Sequence, residues 1–172
     1  MKYLRHCSSL VCFLLLSLQA ALGAAPSTVA EAIQQIRSVD SHGKGHTQAV
    51  MASRFLATQD AGLLDDLLIA MDGANPLAAN WLRASVETIA SRSLKAGQPL
   101  PTASLGEFLL DVRHAPSARQ LAFDLLSQSP SNAVQSLLPG MLHDPSMPLR
   151  RSAVQGVLEQ AMQLQTNGQS GA

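Results

Sequence analysis

The chain has 172 residues, with 12 basic and 12 acidic side chains balancing to a net charge of zero. Phosphate binding needs a cationic surplus, so this balance argues against nucleic acid as the main partner. Hydrophobic residues make up 47% but aromatics only 3%, a composition that disfavours sheets and fits one helical domain.

The first segment reads as an address. Lys2 and Arg5 precede an apolar run from Leu10 to Leu22, and Ala21, Gly23, Ala24 and Ala25 supply small residues after it. This is the pattern of a secretory signal peptide, with cleavage expected after Gly23 and cleavage after Ala25 as the alternative. The run is too short for a bilayer span of about 17–25 residues. Cleavage would leave 10 basic and 12 acidic residues and would remove Cys7 and Cys12, the only cysteines. The expected product, residues 24–165 with a disordered tail at 166–172, is periplasmic or secreted and has neither disulfides nor thiolate metal sites.

Eight helical segments follow. Thr28 and Glu31 form a capping-box pattern ahead of Val29, Ile33 and Ile36, and this helix is expected to end near Asp40. A Gly-rich loop, Ser41 to Gly45, leads to a second helix over about Thr47–Thr58. Asp60 is positioned to cap a third, with Leu63, Leu64, Leu67, Leu68 and Met71 at helical spacing. Asn75-Pro76 opens a fourth, which Gly97 and Pro99 stop after Lys95. Ser104 and Glu107 suggest a capping box for a fifth, whose apolar face is Leu105, Phe108, Leu109 and Val112. Pro116 starts a sixth, with Leu121, Ala122, Leu125 and Leu126. Ser129-Pro130 starts a seventh, with Val134, Leu137, Leu138, Met141 and Leu142, which Pro139 should kink or break. An eighth spans about Pro148 to Leu164. No segment alternates with strand period, and short linkers predict antiparallel neighbours.

These helices repeat in pairs. Asp40, Asp72, Asp111 and Asp144 end the odd helices at spacings of 32, 39 and 33 residues. Arg83, Arg119 and Arg150 align in three even helices, each with small or apolar residues at +3, +6 and +7, on one helical face. The last pair runs Leu137-Leu138-Pro139, Met141-Leu142, Asp144-Pro145-Ser146, Leu149-Arg150, Ala153-Val154 and Val157-Leu158. It resembles a HEAT repeat along its whole length, and the resemblance extends with less detail over Asp60–Gln128. It implies an all-α fold: a short right-handed α-solenoid of about four antiparallel helix pairs. It also implies that Asp111, Arg119, Asp144 and Arg150 are ladder residues hydrogen-bonding between repeats, and it accounts for Pro139 as the bend in a first helix. A compact bundle with ordinary caps is the alternative architecture.

The function implied by analogy is a non-catalytic, exported protein–protein interaction scaffold with no cofactor. Residues at +1, +5 and +9 from each Arg should line the face opposite the core: Ala84, Thr88 and Arg92; Gln120, Asp124 and Gln128; Arg151, Gln155 and Glu159. This polar stripe of mixed sign suits a protein or peptide partner. The alternative function uses the turns, where His42, His46, His114 and His143 lie beside the Asp residues in a set able to hold a divalent metal or assist an enzyme-like activity. Ser41-x-x-Lys44 lacks the helix start and companion motifs of serine acyl enzymes, and no phosphate loop or His-Glu-x-x-His is present.

Overall fold

Apolar residues at three- and four-residue spacing fold into eight α-helices in a computed structural model that describes residues 25–130, 133–166 and 168. They are α1 (Val29–Arg37), α2 (His46–Leu56), α3 (Leu64–Ala70), α4 (Pro76–Lys95), α5 (Thr102–Leu110), α6 (Pro116–Gln128), α7 (Ala133–Leu137) and α8 (Met147–Thr166). No strand occurs among the described residues, and no helix there is long and apolar enough to cross a membrane. The signal-peptide expectation lies outside the described residues, as does most of the tail after Thr166.

Local chemistry sets most boundaries. The Thr28–Glu31 capping box closes in both directions, with Glu31 N–H donating to Thr28 Oγ1 at 3.2 Å and Thr28 N–H donating to Glu31 Oε2 at 3.3 Å. The Glu31 carboxyl is held below its ordinary range mainly by the Ser27 backbone N–H and hydroxyl. Asn75 accepts from Ala78 N–H at 2.9 Å while Pro76 occupies the first turn of α4. Asp60 caps a short 3-10 turn, Ala61–Leu63, that runs into α3. Pro139 ends α7 as expected: the chain continues as a 3-10 turn, Leu138–Met141, because proline cannot supply the next α-helical N–H.

Two local expectations are corrected. The Ser104–Glu107 capping box does not form. Helix α5 already begins at Thr102, directly after Pro101, and Ser104 sits inside the first turn with its hydroxyl donating to Pro101 O at 3.2 Å. Val112 leaves the apolar face: α5 ends at Leu110, Asp111 is extended, and Val112 is 58% exposed.

Among the described residues one contiguous core runs from α1 to α8. It includes Ile36 of α1, Leu56 of α2, Leu67 of α3, Leu82 and Ile89 of α4, Leu109 of α5, Leu125 of α6, Leu138 and Met141 of the second 3-10 turn, and Leu149 and Ala153 of α8. Sequential helices pack as α1 on α2, α3 on α4 and α5 on α6, and the Leu138–Met141 turn packs on α8. Beyond these, α4 packs on α1 and α2, α6 on α3 and α4, α3 on α5, α7 on α5 and α6, and α8 on α6. Buried area at about 25 cal/mol per Å² is the dominant favourable term in such a core.

Candidate interaction surface

Polar bonds tie the turns of neighbouring pairs. From α1, Arg37 donates to the carbonyls of Ala70 and Asp72 at the end of α3, and Asn75 Nδ2 donates to Val39 O at 2.7 Å. In the next interval, Asp72 accepts from Ala115 N–H at 2.7 Å and contacts His114 Nδ1 at 2.7 Å. In the last, Arg119 clamps Asp144 with both terminal nitrogens, and its Nε donates to Leu109 O at 2.7 Å. Cationic side chains placed on helix C-terminal carbonyls satisfy orphan acceptors and complement the helix dipole.

The Arg119–Asp144 pair is buried, the two side chains being only 1% and 4% exposed. Ser146 N–H adds a bond to Asp144 Oδ1 at 2.8 Å. Burial pushes the Asp144 carboxyl up, but the bonds from Arg119 and Ser146 together outweigh it and hold the group below its ordinary value. The other two expected ladder residues sit differently. Asp111 pairs with Arg113, two residues on, whose side-chain and backbone bonds hold its carboxyl far below the usual range. Arg150 bonds Met147 Sδ on its own helix.

The histidines disperse. Asp40 organises the Gly-rich loop by accepting from His42 N–H at 2.9 Å and Lys44 N–H at 3.1 Å, with Gly43 and Gly45 at positive φ. His46 turns onto the half-buried Trp81, ring centroids 5.7 Å apart, and His114 stacks on Phe108 at 4.0 Å. His143 is exposed. Among the described residues, no three His, Cys, Asp or Glu side chains cluster so as to hold a metal ion.

Along the expected stripe, the α4 and α6 portions are held by their own bonds. Thr88 Oγ1 donates to Ala84 O at 2.7 Å, and Arg92 reaches back to the carbonyls of Ala57 and Gln59 at the end of α2. Gln120 donates to Asp124 Oδ1 at 3.0 Å, and Gln128 to Asp124 O at 3.1 Å. Both Gln120 and Asp124 are half-buried, and Gln120 Oε1 is buried without a partner.

Helix α8 differs. Arg151, Gln155 and Glu159 are exposed, and they border an open groove of about 630 Å³ whose floor is Met147, Val154, Leu158 and Met162. These four apolar side chains are 62%, 43%, 57% and 58% exposed. Sequence reasoning assigned the α8 face a wholly polar character. The signal that could have found it is a second apolar period on the same helix, opposite Leu149, Ala153 and Val157. A smaller depression joins Gln120 of α6 to Met147 and Arg151, so the polar stripe and the groove form one surface.

No protein-family model, curated protein or solved structure matches this chain.

Proposed function

We propose that the chain is an exported, non-catalytic interaction scaffold of HEAT-like helix pairs stacked as a short solenoid. The supporting packing is near-neighbour in kind: α4 meets α1 and α2, α6 meets α3 and α4, and α8 meets α6. Each interval also carries its own turn-to-turn polar bonds, as stacked repeats do. Export rests on the charged start, apolar run and small-residue site of the first 23 residues.

The observation that carries the functional reading is the open apolar groove on α8, continuous with the polar stripe of α6. An apolar floor rimmed by charge is the anatomy of a protein-binding patch. The test is affinity capture in the exported fraction of the native host, with Asp124→Lys beside the parent chain. The expected result is a defined protein recovered with the parent and lost with the variant at an unchanged melting temperature. Equal recovery with both would overturn the assignment of α6 to the binding face.

A further inference from the structure

Helix α8 carries two apolar faces. Leu149 and Ala153 are fully buried and Val157 is half-buried against the rest of the fold. Met147, Val154, Leu158 and Met162 lie on the other side, within about 80° of one another at 100° per residue. A helix face that stays in water is ordinarily polar. This one presents an apolar strip about 22 Å long at 1.5 Å rise per residue.

The charges beside the strip are self-complementary. Arg151 and Glu159 lie to the same side of the strip's midline, eight residues and about 80° apart, with Gln155 midway between them, and Arg150 borders the strip on its other side. Two such helices laid antiparallel about a two-fold axis near Gln155 would bring Arg151 of each copy beside Glu159 of the other. The same operation sets Met147 near the far end of the opposing strip, beside Met162, and gathers Val154 and Leu158 of both copies at the centre. An isologous contact requires this correspondence of i with j and j with i.

The end-to-end alternative lacks a mate. Among the described residues, the exposed large apolar side chains outside α8 are Ile69, Leu77, Leu110 and Val112, and none lies in α1 or α2 at the opposite end. The net charge, zero over the whole sequence and −2 after the expected cleavage, also leaves little long-range repulsion between copies.

We infer that α8 is a homodimerisation surface, pairing antiparallel with the α8 of a second copy through Met147, Val154, Leu158 and Met162 and through reciprocal Arg151–Glu159 contacts. The inference rests on the interaction-surface reading above and names a partner for its α8 part alone, leaving the α6 stripe to the other protein. A contact of one helix face on each copy is small, which places the pair at the weak end of specific interfaces, with association of about micromolar strength.

The test is sedimentation velocity of the purified full chain over about 1–200 µM, the range that such an interface addresses. The expected result is a reversible monomer–dimer equilibrium that Leu158→Lys abolishes without changing the circular dichroism. Arg151→Glu and Glu159→Arg should each weaken the dimer about tenfold by setting like charges face to face, and the double reversal should restore it. Within one chain the two residues are more than two turns apart, so rescue reports contact between copies. Asp124→Lys should leave the dimer intact, which separates failure of this inference from failure of the scaffold reading. A chain monomeric throughout, a dimer indifferent to Leu158→Lys, or a double variant as weak as the singles would overturn it.

Discussion

Removing either member of the buried Arg119–Asp144 pair should be the most damaging single polar substitution in the C-terminal half of the fold. Arg119→Ala leaves the Asp144 carboxylate buried with only Ser146 N–H bonded to it, and orphans Leu109 O. Asp144→Ala leaves a guanidinium 1% exposed with a single carbonyl partner. Breaking a buried pair from one side costs about 3–5 kcal/mol, against a total stability of about 5–15 kcal/mol for a domain. At this chain length the melting temperature should fall by about 10 °C. Replacing both, as Arg119→Met with Asp144→Leu, should cost much less than the sum of the single losses, because no charge is left stranded. The assay is urea denaturation followed by circular dichroism, arranged as a double-mutant cycle. Single losses below about 1 kcal/mol, or additive losses in the double variant, would refute the claim that the pair acts as a desolvated unit. The pH dependence has a definite sign. The folded Asp144 carboxyl lies below its unfolded value of about 3.9, so its contribution is fully present above that pH and is lost as pH falls through the lower folded value. The stability gap between parent and Asp144→Ala should therefore narrow below about pH 4 and hold steady from about pH 5 to 8.

Gly156→Ala should destabilise by about 1 kcal/mol. A Cβ there would lie 2.6 Å from Leu138 Cδ1 and 3.3 Å from Leu138 Cδ2, and Leu138 is 1% exposed. Overpacking of about 1–3 kcal/mol then exceeds the gain of about 1 kcal/mol from replacing a helical glycine, and a raised denaturation midpoint would show that Leu138 rotates away freely. Arg150→Ala and Arg151→Ala should each shift stability by less than about 1 kcal/mol, because Arg150 finds only a thioether on its own helix and Arg151 is exposed; a markedly larger loss at Arg150 alone, read as a shifted melting curve, would mean that it bonds across to a neighbouring element.

The helices were legible because their causes are local. Thr28, Asn75-Pro76 and Pro139 act within four residues, and each acts as its chemistry requires. Ser104 misled because Pro101, with its fixed φ, caps α5 three residues sooner, and a hydroxyl inside the first turn then bonds backwards. Tertiary relations were less accessible. Arg37 and Arg92 cap carbonyls on other helices some 33 to 35 residues away in sequence, and no spacing rule connects them. On α8, two apolar stripes of the same period compete for the core, and sequence alone does not say which one the rest of the fold covers.

That competition also bears on where the fold should yield first. The last pair touches the remainder chiefly through α6 and the short α5–α7 contact, with the Arg119–Asp144 clamp at its turn. Its second helix commits Leu149 and Ala153 inward, while Met147, Val154, Leu158 and Met162 stay about half exposed in the single chain. An element with few buried apolar contacts opens at lower free energy than the core, so α8 should lose amide protection before α4 or α6 does. A surface ligand bound only by the folded state adds stability by mass action. Covering the α8 strip should therefore protect α8 selectively and in proportion to occupancy. Hydrogen exchange at α8 should slow as protein concentration rises through the dimerisation range, while exchange at α1 and α2 stays constant. Equal slowing everywhere would mean that association stabilises the whole chain as one cooperative unit, and no slowing at α8 would mean that the strip stays in water.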